Sequence, residues 1–188
     1  RAIGFALPYD DMFKAALFGR GSPLFGATWA DGKPTSGAYP IPRPVKLDLE
    51  KAKEYLKAAG MPDGFSTTFS FNVGQASTAE PMAALVKESL AKIGIKVDIQ
   101  KLPDAQMSTQ INEKKLPFFT EGIVAWLPST DYFYRNFYTG NQRWNYSSIN
   151  NPELVEIAQK ARFEPDAAKY EEDGLKLNAI HFNELPQI

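Results

Sequence analysis

Apolar residues recur along this chain in two patterns, and their alternation predicts helices separated by strands. In 49–59 and 77–94 they return every three to four residues, as on one face of a helix. In Phe65–Val73 and Ile95–Leu102 they alternate with polar residues, and Phe118–Trp126 is a third apolar segment, so these three segments are predicted strands. This order predicts an α/β domain in which a small mixed sheet holds all three strands and is flanked by helices.

The ends of the predicted helices carry residues that favour helix starts and stops. Asp48 and Asn151 are N-cap residues, Pro152 suits a first helical position, and Gly60 and Gly94 are C-terminal stops. Signals of the same kinds predict five helices beyond the two above, at Pro8–Leu17, Pro103–Glu113, Asp131–Tyr138, Asn151–Ala161 and Pro165–Asn183.

The segment Arg20–Pro44 is rich in glycine and proline. Proline does not continue a helix interior or a central strand, so this segment is predicted to lack regular structure. A loop of this length inside a domain is usually functional or packed over a surface. We expect it to pack over the domain through five apolar side chains, Leu24, Phe25, Trp29, Tyr39 and Ile41.

The composition is that of a single globular domain. The chain has 188 residues, of which 44% are hydrophobic and 23% charged, and its formal net charge is -1. This balance offers no electrostatic basis for a nucleic-acid partner, and no apolar run reaches the roughly 18 residues of a membrane helix. There are no cysteines, which excludes disulfides and thiolate chemistry. Because the chain starts at Arg1 and stops abruptly, we expect a piece of a longer protein, whose secretory signal would lie elsewhere.

The sequence displays no catalytic constellation. His181 is the single histidine, so there is no thiol–imidazole pair and no histidine-rich metal site. No nucleophile elbow, phosphate-binding loop or dinucleotide fingerprint is present. The spacing of the carboxylates identifies no pair for acid–base work. We therefore predict a protein that is not an enzyme and has no cofactor or metal site, in which His181 is a structural or surface residue.

Aromatic residues are the unusual feature of the composition, at 13% of the chain. They concentrate between Trp126 and Tyr146, interspersed with asparagine, arginine and aspartate. Aromatic walls with a few placed polar groups are typical of a ligand cleft. Packing of the same rings into a core explains the pattern equally well, so both interpretations stay open. Arg135 and Arg143 in this stretch have the geometry to hold a carboxylate through two hydrogen bonds, although surface roles are equally ordinary for arginines.

Four segments, in order along the chain, resemble one known family. They are 1–21, with its MFKAALFGRG helix and glycine loop, DLEKAKEYLKAAGMPDG at 48–64, LAKIGIKV at 90–97, and the stretch 126–154 with its NYS and NPEL motifs. Along essentially its whole length the chain is similar to the large periplasmic solute-binding proteins of peptide and nickel ABC importers, known as extracellular solute-binding protein family 5. The ordered set is more specific than any one of its motifs.

The resemblance implies that residues 1–188 form one lobe, the second, of a two-lobe periplasmic or extracytoplasmic protein. Such a protein would close its lobes on a peptide or other small solute and deliver it to the permease subunits of an ABC importer. Aromatic side chains would wall the cleft, an aspartate would bind a cation, an arginine an anion, and an asparagine would supply hydrogen bonds. The residues expected nearest the cleft are Trp126, Asp131, Tyr132, Arg135, Trp144 and Asn145.

The segment after Trp126 departs from the family pattern. In peptide-binding members the segment after this tryptophan resembles the pattern W-x-x-D-x-x-D-P, and its first aspartate holds the amino terminus of the ligand. Here the segment is shorter, and Asp131 matches only the later acidic position. The ligand therefore need not be a peptide. A sensor or chaperone-like peptide binder on the same fold is the alternative function, and a hydrolase would need a catalytic constellation that the sequence does not display.

Overall fold

The computed structural model describes residues 1–122, 126–141 and 143–185. The chain divides into two compact units, each assembled from two stretches of sequence. Unit 1 comprises Arg1–Gly21 and Val45–Ile123, and unit 2 comprises Ser22–Pro44 and Val124–Ile188. The proline-rich segment therefore belongs to a different unit from the helices on either side of it in sequence. That 1–188 is one lobe of a two-lobe protein stays a prediction.

Unit 1 is an α/β unit built on a parallel sheet. Its strands are β1 (Ser66–Asn72), β2 (Lys96–Leu102) and β3 (Phe118–Phe119). They lie in the spatial order β2-β1-β3, and both pairings are parallel. Its helices are α1 (Ala2–Ala6), α2 (Tyr9–Leu17), α3 (Leu49–Ala58), α4 (Ala76–Ala91) and α5 (Asp104–Asn112). The three predicted strands lie in one sheet, which confirms the predicted α/β class, and the described pairings are parallel rather than mixed.

The central strand β1 pairs with β2 on one side and β3 on the other, and it is buried on both faces. Phe69, Ser70 and Phe71 are at most 3% exposed, whereas a strand with one solvated face would alternate between buried and exposed side chains. The hydroxyl of Ser70 donates to Oε1 of Gln100 on β2 at 3.1 Å, so the polar side chain at the centre is satisfied. Helix α4 packs against both β1 and β2 and covers the sheet.

The predicted boundaries are confirmed at two helix starts and revised at others. Asp48 and Asn151 each accept a hydrogen bond from the backbone N–H three residues later, at 2.9 and 3.1 Å. Helix α4 runs from Ala76 to Ala91, whereas the predicted segment was 77–94, and Pro81 lies inside the helix. Strand β3 ends well before Trp126, although the prediction extended to that residue. Positions 123–125 of the predicted strand lie outside the described residues.

Two glycines allow the turns before β1 and β2 to touch. Gly64 and Gly94 have φ values of +80° and +82°. A Cβ on Gly64 would lie 2.2 Å from the carbonyl oxygen of Gly94, and a Cβ on Gly94 would lie 2.4 Å from the carbonyl oxygen of Asp63. Glycine alone combines this left-handed backbone with so close an approach.

Helices are the main regular elements in the described part of unit 2. Its helices are α6 (Thr130–Phe137), α7 (Pro152–Ala161) and α8 (Ala167–Glu184). They pack against one another around a core in which Tyr134, Leu154 and Leu177 are fully buried. Ala38 and Tyr39, from the proline-rich segment, belong to the same core. In the described parts of both units, no helix combines the length and apolar character needed to cross a membrane.

The proline-rich segment packs less completely than predicted. Tyr39 is 2% exposed, and Phe25 and Ile41 are partly buried. Leu24 and Trp29 are 53% and 64% exposed, so the prediction is wrong for those two side chains. The backbone of Trp29 bonds within its own turn, donating to residue 33 at 2.8 Å and accepting from residue 32 at 2.9 Å. Because this turn satisfies its own backbone groups, it does not require the indole ring to be buried.

The contact between the two glycine turns leads to a stability prediction. Gly94→Ala is expected to lower the free energy of unfolding by about 3 kcal/mol or more, because a backbone clash adds to the cost of a left-handed alanine, about 1–2 kcal/mol. Gly60→Ala is the matched control, since Gly60 has φ +74° but no atom within 4 Å of an added Cβ. Urea unfolding followed by far-UV circular dichroism measures both variants. Equal losses would contradict the close-contact argument.

Candidate functional site

The aromatic helix α6 has one buried and one partly open face. Tyr134 and Phe137 are at most 6% exposed and belong to the core of unit 2. Arg135 and Asn136 follow Tyr132 by three and four positions, and all three residues are partly open to solvent. The interpretation that the aromatic rings pack into a core is therefore right for Tyr134 and Phe137. The other three residues present a phenol ring, a guanidinium and an amide at the surface.

Asp131 and Arg135 were expected to bind ligand groups of opposite charge. In the structure they form an ion pair with each other. Nε of Arg135 donates to Oδ2 of Asp131 at 3.0 Å, and the hydroxyl of Tyr170 on α8 donates to Oδ1 at 2.8 Å. The side chains of Arg135 and Asp131 are only 19% and 10% exposed. Burial, and then the hydrogen bond to Asp131, raise the pKa of Tyr170 above its usual value. Because both oxygens of Asp131 already accept hydrogen bonds, the carboxylate is placed to orient Arg135.

Asn145 is a loop-organising residue in this structure. Its side chain is 1% exposed, and its Nδ2 donates to the carbonyls of Gly140 and Ile149, each at 2.9 Å. Its Oδ1 accepts from the N–H of Ile149 at 3.2 Å. A buried amide that bonds its own loop in this way holds the backbone in place rather than offering donors to a ligand. We therefore assign Asn145 to the support of the loop between α6 and α7.

The two tryptophans of the expected set differ in their surroundings. Trp126 is 77% exposed. Trp144 is partly buried and stacks on Phe137 of α6, with 5.7 Å between ring centroids and 25° between planes. The structure thus places Asp131, Tyr132 and Arg135 within five consecutive positions of α6. Trp144 and Asn145 follow on the loop that packs against this helix.

Polar residues at the carboxyl ends of the parallel strands were not identified from the sequence. Asn72 ends β1, Asp104 follows β2, and Glu121 follows β3. Nδ2 of Asn72 donates to Oδ1 of Asp104. Partial burial, and to a smaller degree the nearby charge of Asp104, raise the pKa of Glu121. Ligands of open α/β sheets bind outside the carboxyl ends of the strands. These residues are recognised because the strands are parallel, which brings their carboxyl ends to the same edge of the sheet. The strand pairing is known from the fold and not from the sequence.

The remaining titratable groups do not form a metal centre in the part of the chain that the structure describes. No group of three His, Asp or Glu side chains there is arranged to hold a metal ion. His181 is 3% exposed and surrounded by aromatic rings, so of its two expected roles the structural one is right. Asp173 is also buried, and it pairs with Lys160 across α7 and α8 at 3.0 Å.

Comparison with known proteins gives the class of protein to which this fold belongs. Residues 1–145 match the family described as bacterial extracellular solute-binding proteins, family 5 Middle. Because the match spans well over half of the 188 residues, the chain belongs to this family. This confirms the resemblance that the four sequence motifs indicated. Members of the family are solute-binding proteins that lie outside the cytoplasm, and the family is not one of enzymes.

Three named proteins illustrate the similarity. The glutathione-binding protein GsiB of Salmonella choleraesuis is 34% identical over 114 residues, which cover 60% of this chain and 21% of GsiB. The binding protein AgaA from A. tumefaciens R10, solved with agropinic acid, has a TM-score of 0.83 and 25% identity over 98% of this chain and 38% of AgaA. DppA from Helicobacter pylori, solved with the peptide STSA, has a TM-score of 0.83 and 26% identity over 98% of this chain and 36% of DppA. The chain spans about a fifth of the length of the curated relatives it matches.

The role assigned to Asn145 is testable without a ligand. Asn145→Ala is expected to lower the free energy of unfolding by about 2–3 kcal/mol, because it leaves buried carbonyl groups without donors. Asn136→Ala is the control, since its amide is partly exposed and bonds the carbonyl of Tyr132, on the same helix, at 2.7 Å. Urea unfolding followed by tryptophan fluorescence reports on unit 2, which contains all three tryptophans. A loss for Asn145→Ala no larger than that of the control would refute the role.

Proposed function

We propose that this chain is one lobe of an extracytoplasmic solute-binding protein that captures a small ligand for an ABC importer. The observation that carries the proposal is the match of the whole chain to a little over a third of two solute-binding proteins, each with a TM-score of 0.83. Family membership supports the same function. The work of such a protein is reversible capture, in which two lobes close on the ligand and the closed form docks on the permease.

Within this chain, Trp126, Tyr132 and Arg135 are the residues that we propose to contact the ligand. The support is their position: the indole of Trp126 is open to solvent, and the other two lie on the open side of α6. Aromatic faces bury apolar surface of a ligand without ordering many rotatable bonds. Trp144 supports α6 by stacking, and Asp131 acts through Arg135. Asn145 is left out of the contact set because its amide is bonded to its own loop.

The chemistry of Arg135 favours a ligand with a carboxylate. Its Nε is bonded to Asp131, which leaves the two terminal nitrogens of the guanidinium to bind a planar anion. The names of the similar proteins mention glutathione, agropinic acid and the peptide STSA, all of which carry a carboxylate. We therefore propose a small carboxylate-bearing solute, without choosing between a peptide and another acid.

The two-lobe mechanism predicts weak binding by the chain alone. A binding free energy of about -8 kcal/mol corresponds to a micromolar dissociation constant. A single lobe that supplies half of that energy would have a dissociation constant in about the millimolar range. Glutathione and short peptides are titrated against this chain and against the complete two-lobe protein, with tryptophan fluorescence as the readout. Trp126→Ala in the complete protein is expected to weaken binding as well. Equal and tight binding by the chain and the complete protein would rule out a cleft shared between lobes.

The carboxylate assignment predicts a selective loss at Arg135. In the complete protein, Arg135→Lys is expected to weaken binding of a free-acid peptide or glutathione by about 10-fold or more, because lysine keeps the charge but loses the paired hydrogen bonds. Arg162→Lys, at an exposed position after α7, is the matched control and should bind as the wild type does. Calorimetric titration measures all three proteins. A capped ligand amide that is bound as well as the free acid would contradict the proposed ligand class while leaving solute binding intact.

A further inference from the structure

The single histidine lies at the centre of an aromatic cluster in unit 2. His181, in the last full turn of α8, is 3% exposed. Five aromatic rings surround its imidazole, with centroid distances of 5.6 Å to Phe25, 6.1 Å to Tyr39, 6.1 Å to Tyr134, 5.0 Å to Tyr138 and 6.0 Å to Phe182. The rings come from three parts of the chain: the proline-rich segment, the region of α6, and α8 itself. The imidazole therefore lies where these three parts meet.

The surroundings of His181 favour its neutral form. Its Nδ1 is buried and has no hydrogen-bond partner among the residues that the structure describes. Burial first, and then the positive charge of Arg43, lower the pKa of His181 to about 4. The other titratable groups that face it are the hydroxyls of Tyr39, Tyr134 and Tyr138, and burial raises the pKa of each, so they stay neutral. The two causes that act on the imidazole in the described part of the chain, burial and the charge of Arg43, both disfavour its charged form.

Hydrogen bonds within and beside this cluster hold the proline-rich segment on the helices. The hydroxyl of Thr130 on α6 donates to the carbonyl of Gly37 at 2.7 Å, and Nδ2 of Asn178 on α8 donates to the carbonyl of Ala38 at 3.2 Å. The hydroxyls of Tyr39 and Tyr138 lie 3.3 Å apart. Tyr39, which is 2% exposed, is the deepest side chain of the five that were expected to anchor the segment. An added charge at His181 would act directly on this anchor.

We propose that His181 is an acid-sensitive latch, which holds Ser22–Pro44 on α6 and α8 while its imidazole is neutral and releases the segment when it is protonated. A charged imidazolium beside Arg43 and away from water is unfavourable, so protonation favours any conformation in which the imidazole reaches solvent. The proposal concerns the stability of unit 2 and does not depend on the identity of the ligand or on transport.

The direction and size of the effect follow from proton linkage. In the released conformation the imidazole has the ordinary pKa of about 6.5, and in the latched conformation the pKa is about 4. The stabilisation is fully present above pH 6.5 and is lost progressively as the pH falls toward 4. The equilibrium between latched and released forms is expected to shift by about 30-fold between pH 7.5 and 5, and by on the order of 100-fold between pH 7.5 and 4.

The wild-type chain gives a direct test, because its one histidine produces a single, unambiguous Hε1 signal in proton NMR. While the signals of the surrounding rings keep their folded shifts, the Hε1 signal is expected to show no titration near pH 6.5. Its protonation should appear only at lower pH and together with changes in those ring signals. Titration near pH 6.5 with unchanged ring signals would overturn the proposal.

Hydrogen–deuterium exchange tests the release of the segment. After correction for intrinsic rates, exchange of protected amides in 22–44 is expected to accelerate about 30-fold from pH 7.5 to 5 in the wild type. It should accelerate much less in His181→Leu, which fills similar space but does not titrate. His181→Gln is a second non-titrating variant in case the leucine variant does not fold, and peptides from α4 in unit 1 are the internal control. An equal acid response in the wild type and a folded variant would overturn the proposal.

Discussion

The burial of one side of α6 is the constraint on which the candidate site depends. Tyr134 has no exposed surface, and Phe137 is 6% exposed, so the helix is held in one rotational setting against α7 and α8. Large aromatic side chains bury enough apolar area to make any other setting costly. Once that setting is fixed, the helical period places Tyr132 and Arg135 together on the side that remains open. The chemistry that the site offers is therefore a consequence of core packing.

Asp131 and Asn145 lie close to this core and are satisfied internally, and this decides how each of them can act on a ligand. Asp131 bonds Arg135 and Tyr170, and Asn145 bonds the backbone of its own loop. Unpaired polar groups at such depth are strongly destabilising, so residues of this kind are first of all structural. Arg135 differs because a guanidinium has donors on three nitrogens, and the bond to Asp131 uses only Nε. A side chain can thus be held firmly and still keep hydrogen-bonding capacity for a ligand.

Membership of the solute-binding family gives the chain a functional context that its fold class alone does not. Parallel α/β units carry many unrelated activities, so the argument for function rests on the site and on relatives rather than on architecture. The two units offer different chemistry. Unit 1 has polar residues at the carboxyl ends of its strands, where Asn72 bonds Asp104. Unit 2 has the aromatic and cationic side of α6.

Much of the fold was predictable from local patterns. Asp48 and Asn151 begin their helices as predicted, and the strand patterns around Phe69 and Val97 lie in one sheet. Caps and periodicity act over a few residues, and so the linear sequence records them. The glycine at 94 was expected to stop a helix, but its contact with the turn at Gly64 involves residues thirty positions away, which no local pattern reveals.

What the sequence by itself determined was the order of helices and strands, the aromatic character of the stretch after Trp126, and the family. The tertiary structure decided which side chains are exposed to solvent. Trp29 was expected to be buried and is exposed, whereas Asn145 was expected near a ligand and lies in a hydrogen-bonded loop. Asp131 and Arg135 are four positions apart, yet their pairing is completed by Tyr170 from another helix. Exposure and pairing are set by contacts between segments distant in sequence, and packing alone brings those segments together.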